Sequence, residues 1–153
     1  MSFDLYFVTL KPRAYADADD AVRAPCGDDD DRDFHEVLAP YLRPGLAPGA
    51  ARATVLAAAR TVLKRSPFVK FESTPLAALP LEERVAEACS RLFEYEGEHP
   101  AVVPLSLSWN ADLKELVRFA AVLLNALPRD VFLYDPQTNQ LLDRDQVLDW
   151  SDV

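Results

Sequence analysis

The amino-acid sequence predicts an α+β fold, in which a β-sheet carries helices mainly on one of its faces. Residues 3–10 alternate with a period of two, which is typical of a strand. Later segments place apolar residues three and four positions apart, which is typical of helices that bury one face. Strand-like and helix-like segments also alternate along the chain. At 153 residues, the chain has the length of a single domain, which buries roughly two thirds of its unfolded surface.

The first strand, at residues 3–10, is predicted to bury the face that carries Phe3, Leu5 and Phe7. This pattern stops after the strand. Residues 11–33 are rich in Ala, Asp and Pro and contain few apolar anchors, so we predict a flexible acidic loop. The loop contains four consecutive carboxylates, Asp28, Asp29, Asp30 and Asp31.

The first predicted helix begins with a capping box, since Asp33 and Glu36 have the spacing in which each side chain caps the other's amide. Apolar residues recur at helical spacing from Phe34 to Leu42. Pro44, followed by a glycine, ends the helix.

Two more helices and a short strand follow. Apolar residues at 55–63 predict a second helix, which ends near Ser66 because Pro67 disfavours helical geometry in the residue before it. Residues 68–71 predict a short strand. The apolar residues at 81–93 recur at helical spacing and predict a third helix.

The last part of the chain predicts two strands joined by a helix. Residues 103–109 alternate as a strand, and Pro104 places the start of this strand at a sheet edge or a bulge. Residues 111–127 are apolar nearly all round, as in a deeply packed helix. The apolar run at 131–134 is typical of a central strand. The remaining elements are a turn at residues 135–139, a short strand at 140–142 that completes a hairpin, and a helical turn at 145–150.

The order of these elements predicts the arrangement of the sheet. A helix joins the strands at 103–109 and 131–134, so these two strands run parallel. The first strand inserts between them in a split β-α-β plan, and a ferredoxin-like arrangement with extra helices is compatible with this order. Such an arrangement brings Trp109 and Asp135 to the same end of the sheet.

The charge of the chain favours a basic protein as its partner. The formal net charge is -9, with a pI of about 4.6. Nucleic acids and anionic membranes are bound through Lys and Arg, so neither is expected as a partner. The sequence begins with a strand pattern rather than a basic leader, and its longest apolar helix is too short to span a bilayer, so we expect a cytoplasmic protein.

Few residues are suited to catalysis. His35 and His99 are the two histidines of the chain, and a nucleophilic Ser or Cys needs an imidazole within hydrogen-bond reach. His35 is expected to be a partly exposed helix residue, and His99 a solvated loop residue. Cys89 lies on an apolar helix face, which favours a buried packing thiol. We therefore predict no catalytic residue.

No metal or cofactor is expected. The spacing of Cys26, the aspartates and His35 fits neither a zinc site nor a calcium loop. Four glycines in the chain leave little room for a phosphate-binding loop. The second helix and its end are locally basic, which indicates either a solvated helix face or a site for an anionic ligand. The basic residues are Arg52, Arg60, Lys64 and Arg65.

The strongest short motif lies at the end of the predicted central strand. Its residues are Tyr134, Asp135, Pro136 and Gln137. Asp135 and Pro136 are turn formers, because the aspartate caps a turn and the proline presets its backbone dihedral. The same end of the sheet also carries Trp109, so the candidate ligand-binding or partner-binding residues are Trp109, Tyr134, Asp135 and Gln137.

Two segments resemble a loose group of uncharacterised bacterial proteins. The segments are the N-terminal strand Phe3-Asp4-Leu5-Tyr6-Phe7 and the strand that runs into Tyr134-Asp135-Pro136-Gln137 and a hairpin. Similar strand-into-turn endings occur in immunity proteins that neutralise polymorphic toxins. This resemblance implies a protein-binding role.

Three functions follow from these observations. The first is a non-catalytic binding protein, immunity-like, that meets a basic partner through its acidic loop. The second is a small-molecule sensor, a homodimer with a ligand at the strand ends near Trp109, Tyr134 and Asp135. The third is a small hydrolase-type enzyme in which Asp135, Glu96 or His99 serves as acid or base. The oligomeric state stays open.

Overall fold

The fold was analysed in a computed structural model, which describes residues 3–23, 34–65, 80–93, 99–107, 113–136 and 138–146. The sheet of this described part has four strands in the spatial order β2-β1-β3-β4, and every neighbouring pair is antiparallel. The strands are β1 (Phe3–Thr9), β2 (Val102–Leu107), β3 (Val131–Asp135) and β4 (Gln140–Leu142). The helices are α1 (Tyr15–Arg23), α2 (Phe34–Leu38), α3 (Ala50–Arg65), α4 (Leu81–Leu92) and α5 (Leu113–Ala126).

The central position of β1 confirms the predicted α+β sheet. Leu5 lies opposite Leu105 in β2, and Val8 lies opposite Phe132 in β3. Since β2 and β3 are both antiparallel to β1, they run parallel to each other, and α5 connects them. The predicted insertion of β1 between two parallel strands is therefore confirmed, while the ferredoxin-like split β-α-β plan stays a prediction.

The three longer helices lie on one face of the sheet, as predicted. This face carries Leu5 and Phe7 of β1, and α3, α4 and α5 bury it. Phe119 of α5 and Phe93, which follows α4, are completely buried in the same cluster. Alternation in the strand and helical spacing in the later segments predict this layer because each element buries a continuous apolar face.

The opposite face of the sheet is also covered, by the two short helices α1 and α2. Val8 and Tyr134 of the sheet pack there against Ala18 and Val22 of α1 and Leu38 of α2. The sheet therefore separates two apolar clusters, a larger one under α3, α4 and α5 and a smaller one under α1 and α2.

The prediction of an irregular loop over residues 11–33 is wrong for Tyr15–Arg23, which form α1. Ala14, Ala18 and Val22 recur every four residues and are all buried, but a stripe this narrow and built of small side chains gives little periodic signal. An Asp19–Arg23 pair, at 2.8 Å between carboxylate and guanidinium, further supports the helix. The rest of the predicted loop that follows α1, including Cys26 and the four consecutive aspartates, lies outside the described residues.

The first predicted helix is shorter than its apolar pattern indicates. The α-helical part ends at Leu38, and Ala39–Tyr41 continue as a 3-10 turn. Pro40 lacks the amide hydrogen that an α-helix would use at this point, which explains the change. Leu42 then pairs with Leu10 in an isolated β-bridge. The predicted cap at Asp33 lies outside the described residues.

The second helix, the third helix and the β3–β4 hairpin are confirmed. Of the final helical turn, residues 144–146 are helical, and the remainder lies outside the described part, as does the predicted strand at 68–71. Within the described residues, no helix combines the length and apolar character needed to cross a bilayer.

The two edges of the described sheet differ in how they avoid further pairing. β2 is one edge strand, as Pro104 predicted. The outer edge of β4 is covered by α1: the Tyr15 hydroxyl donates to the Leu141 carbonyl at 2.9 Å, and the Leu141 amide donates to the Asp19 carboxylate at 3.3 Å. The exposed backbone groups of a strand invite association with other chains, so α1 protects this edge.

Candidate functional site

The ends of β2 and β3, which the sequence predicts to carry the candidate site, lie at the same end of the sheet. β2 and β3 both run towards it, and β3 ends there with Tyr134 and Asp135. Trp109 and Gln137, the other two predicted binding residues, lie outside the described residues, so a joint site of all four stays a prediction.

Tyr134 and Asp135 lie on opposite faces of the sheet, because successive side chains of a strand alternate. Tyr134 is 2% exposed and belongs to the cluster under α1 and α2. Its ring stacks on Phe34 with 4.7 Å between centroids, and its hydroxyl donates to Asn139 Oδ1 at 2.8 Å. These contacts attach α2 and the β3–β4 turn to the sheet.

Asp135 is only 4% exposed and shapes the β3–β4 turn. Its Oδ2 accepts a hydrogen bond from the Thr138 hydroxyl at 3.0 Å. Asn139 completes the turn with a positive φ of 52°, a conformation that asparagine tolerates better than most residues. The turn-forming role expected for Asp135 and Pro136 is consistent with this geometry.

The groups considered for catalysis have structural contacts of their own. His99 accepts a hydrogen bond at Nδ1 from the Ala101 amide at 3.1 Å, which fixes the turn before β2. Cys89 is buried in the larger apolar cluster. Burial raises the pKa of the Cys89 thiol, and the nearby Arg60 only partly opposes this effect. A raised pKa keeps the thiol protonated and weakly nucleophilic. Glu96 lies outside the described residues.

His35 lies among aromatic rings and is half-buried. Its ring is 4.0 Å from that of Phe34 and meets the ring of Tyr6 edge-on at 6.2 Å. This placement agrees with a partly exposed helix residue. Among the residues described, no group of three or more His, Cys, Asp or Glu side chains is arranged to hold a metal ion.

The basic residues of α3 contact α4 and its end. Lys64 lies 3.4 Å from the carboxylate of Glu82, and Arg52 donates a hydrogen bond to the Phe93 carbonyl. Arg60 lies beside Cys89. The three basic side chains therefore join two helices, whereas the side chain of Arg65 is outside the described part.

Carboxylates lie on α1 and in the segment that follows β4. Asp17 and Asp20 of α1 are exposed, as is Asp145 after β4. The Tyr15 hydroxyl lies between these elements, and its pKa is raised to about 12, first by burial and then by the negative charges of Asp143 and Asp19. We call Asp17, Asp20, Asp143 and Asp145 the acidic side.

A cavity of about 120 Å³ lies at the end of the sheet opposite Tyr134 and Asp135. Its polar lining residues are Thr9, Arg43, Thr54 and Asp130, with the first turn of α3 beside them. Sequence analysis did not find this feature. Arg43 and Asp130 are 87 positions apart in the chain, so no local motif relates them.

Comparison with known proteins adds no relative. The chain matches no family model, and no curated protein or solved structure is significantly similar to it.

Proposed function

We propose that this protein is a non-catalytic binding protein that recognises a basic protein partner through the acidic side. The observation that carries this proposal is the docking of α1, which holds Asp17 and Asp20 in solvent on a helix fixed to the sheet. Charges on a fixed helix lose less conformational freedom on binding than charges on a loop.

The electrostatics of the acidic side support this proposal. Burial is the main cause of the raised pKa of Tyr15, and the negative charges of Asp143 and Asp19 add to it, although the positive charge of Arg23 opposes them. The chain as a whole has a formal net charge of -9. A negative surface increases the rate at which a basic partner is encountered, and this effect weakens as salt is added.

A binding function also agrees with the structural roles of the groups that were considered for catalysis. Asp135 shapes a turn, His99 accepts a backbone hydrogen bond, and Cys89 packs in the apolar interior. Each group supports the structure at its own position. The free thiol of Cys89 is compatible with a reducing compartment, so the proposal includes a cytoplasmic location.

The strand-into-turn ending at Tyr134-Asp135-Pro136-Gln137, which resembles endings found in immunity proteins, suggests the class of partner. A basic toxin domain would complement the acidic side. The four consecutive aspartates at 28–31 follow α1 closely in the sequence and would extend the acidic surface if they contact the same partner.

The proposal is tested with two variants of equal charge. Asp17→Asn with Asp20→Asn removes two carboxylates from the acidic side, whereas Glu82→Gln with Glu83→Gln removes two exposed carboxylates from α4. The full chain is used to purify its partner from the native cell at low salt, and the partner is then produced separately. Association rates are measured against increasing salt.

We expect one stoichiometric partner of basic pI. Its association rate should fall roughly three- to tenfold for the α1 variant and little for the α4 variant, because charges steer an encounter only near the contact surface. The proposal would be contradicted by a partner whose association rate changes neither with salt nor with the α1 substitutions. So would equal effects of the two variants, which would indicate a response to net charge alone.

A further inference from the structure

The cavity at the Thr9 end of the sheet is lined mainly by residues of three strands and of α3. Phe7, Val103 and Val131 of three neighbouring strands form its apolar floor, and Val55 of α3 adds to the wall. All four side chains are buried. The cavity therefore rests on rigid elements, which is a common property of small-molecule sites.

Thr9 contributes a polar group to the lining of the cavity. The residue is 8% exposed, and its hydroxyl makes no hydrogen bond with any residue that the structure describes. Its backbone is fixed, because its amide donates to Ala101 at 2.9 Å and its carbonyl accepts from the Arg43 amide at 3.0 Å. Because Thr9 lines the cavity, its hydroxyl is available to a ligand bound there.

The first turn of α3 gives the cavity a positive end. Ala50 and Ala51 line the cavity at the start of this 16-residue helix. Gly49 precedes the helix and has no side chain with which to cap its amides, and the first turn contains no acidic residue. The Ala50 amide donates to the Ala47 carbonyl at 3.0 Å, so an anion placed here would meet the Ala51 amide and the positive end of the helix dipole.

Arg43 and Asp130 add one charge of each sign at the rim. Their side chains are 3.0 Å apart and are 53% and 31% exposed. A pair this exposed is weak and can exchange partners with a ligand. A carboxylate bound beside Arg43 would be repelled by Asp130, whereas a ligand that also carries an ammonium group would satisfy both residues.

We propose that this cavity binds a small α-amino acid with a short aliphatic side chain. The carboxylate accepts hydrogen bonds from Thr9, Arg43 and the first turn of α3, and the ammonium group contacts Asp130. The aliphatic part packs on Phe7 and the adjacent valines. A cavity of 120 Å³ suits roughly six to eight non-hydrogen atoms, since a cavity of similar size holds benzene. This proposal does not depend on the protein-binding function.

The ligand class is tested with three compounds of one carbon skeleton. L-Valine carries both charges, 3-methylbutanoate lacks the ammonium group, and 2-methylpropylamine lacks the carboxylate. Each is titrated into the full chain by calorimetry. We expect saturable binding of L-valine and at least about tenfold weaker binding of the other two, because each leaves one charged protein group unpaired.

Two variants and one control locate the site. Thr9→Val removes the hydroxyl at nearly constant volume and should weaken L-valine binding about tenfold while leaving the protein folded. Asp130→Asn should reduce the preference for L-valine over 3-methylbutanoate. Thr61→Val, on the exposed side of α3, should leave binding unchanged.

Each outcome decides for or against the proposal. Absence of saturable L-valine binding up to about 10 mM by the folded protein would overturn it, and so would equal affinity for L-valine and 3-methylbutanoate. Binding that Thr9→Val leaves intact would place the ligand elsewhere and reject this site. If that variant fails to fold, amide chemical shifts of the unaltered protein decide: L-valine must move those of Thr9, Ala51 and Val131 for the site to hold.

Discussion

Arg144 holds the C-terminal end of α5, and its replacement gives a sharp test of how this fold is stabilised. Its Nε donates to the Leu124 carbonyl at 3.2 Å, and its Nη2 donates to Pro128 at 2.6 Å and also to Leu127. The last carbonyls of a helix have no partner within the helix. The Arg144 guanidinium donates hydrogen bonds to carbonyls at this helix end, and it also places a positive charge at the negative end of the helix dipole.

The expected loss can be estimated from these contacts. A hydrogen bond to a charged group contributes about 1.5–3 kcal/mol, and a cation at a helix C-terminus about 0.3–1 kcal/mol. One side chain that partly faces water makes all three hydrogen bonds, so their contributions to the free energy of unfolding are not additive. We expect Arg144→Met to lower the free energy of unfolding by about 2 kcal/mol, and Tm by about 4–8 °C for a chain of this size. Arg144→Lys should lose about half as much, because it keeps the charge but not the planar fork.

Urea unfolding followed by circular dichroism measures this effect through the shift in midpoint at constant m value. Arg129→Met is the matched control, because Arg129 lies near the same helix end but is exposed and makes no hydrogen bond or ion pair with the residues described. If Arg144→Met and Arg129→Met destabilise equally within about 0.5 kcal/mol, the guanidinium contacts are not stabilising and the reasoning is refuted.

Two further predictions concern α1. Ala18→Glu should lower the free energy of unfolding by at least about 3 kcal/mol because it buries a charge, whereas Ala16→Glu on the exposed side of the same helix should change it by less than about 0.5 kcal/mol; equal urea midpoints would mean that α1 is not docked. Tyr15 has a pKa of about 12 in the folded state and about 10 in the unfolded state, so the folded protein favours the neutral phenol. The stability advantage over Tyr15→Phe should be about 1 kcal/mol below pH 10, allowing for solvent screening, and should be lost as the pH rises to 12; an advantage independent of pH would contradict this.

Much of the fold could be predicted from local patterns. The alternation in β1 identifies which of its side chains face the larger cluster, and the apolar run at 131–134 identifies an interior strand. The position of β1 between β2 and β3 also followed from the sequence, because the helix that joins these strands makes them parallel and leaves room between them. These inferences succeeded because each depends on neighbours in the chain.

The missed features depend on small residues or on distant pairs. α1 escaped prediction because Ala14, Ala18 and Val22 are too small to give a strong helical pattern, and their burial becomes visible only against the second face of the sheet. The apolar pattern from Phe34 to Leu42 is continuous, but the α-helix gives way to a 3-10 turn at Pro40. The spacing of apolar residues does not predict this change.

The candidate site shows the same division between local and tertiary information. The sequence by itself determined that Asp135 and Pro136 form a turn at the end of β3, since turn formation depends on the local chemistry of these residues. Only the tertiary structure placed Tyr134 and Asp135 on opposite faces and brought Thr9, Arg43 and Asp130 around one cavity. Sequence periodicity specifies which residues share a face, whereas the packing of distant segments decides which faces meet.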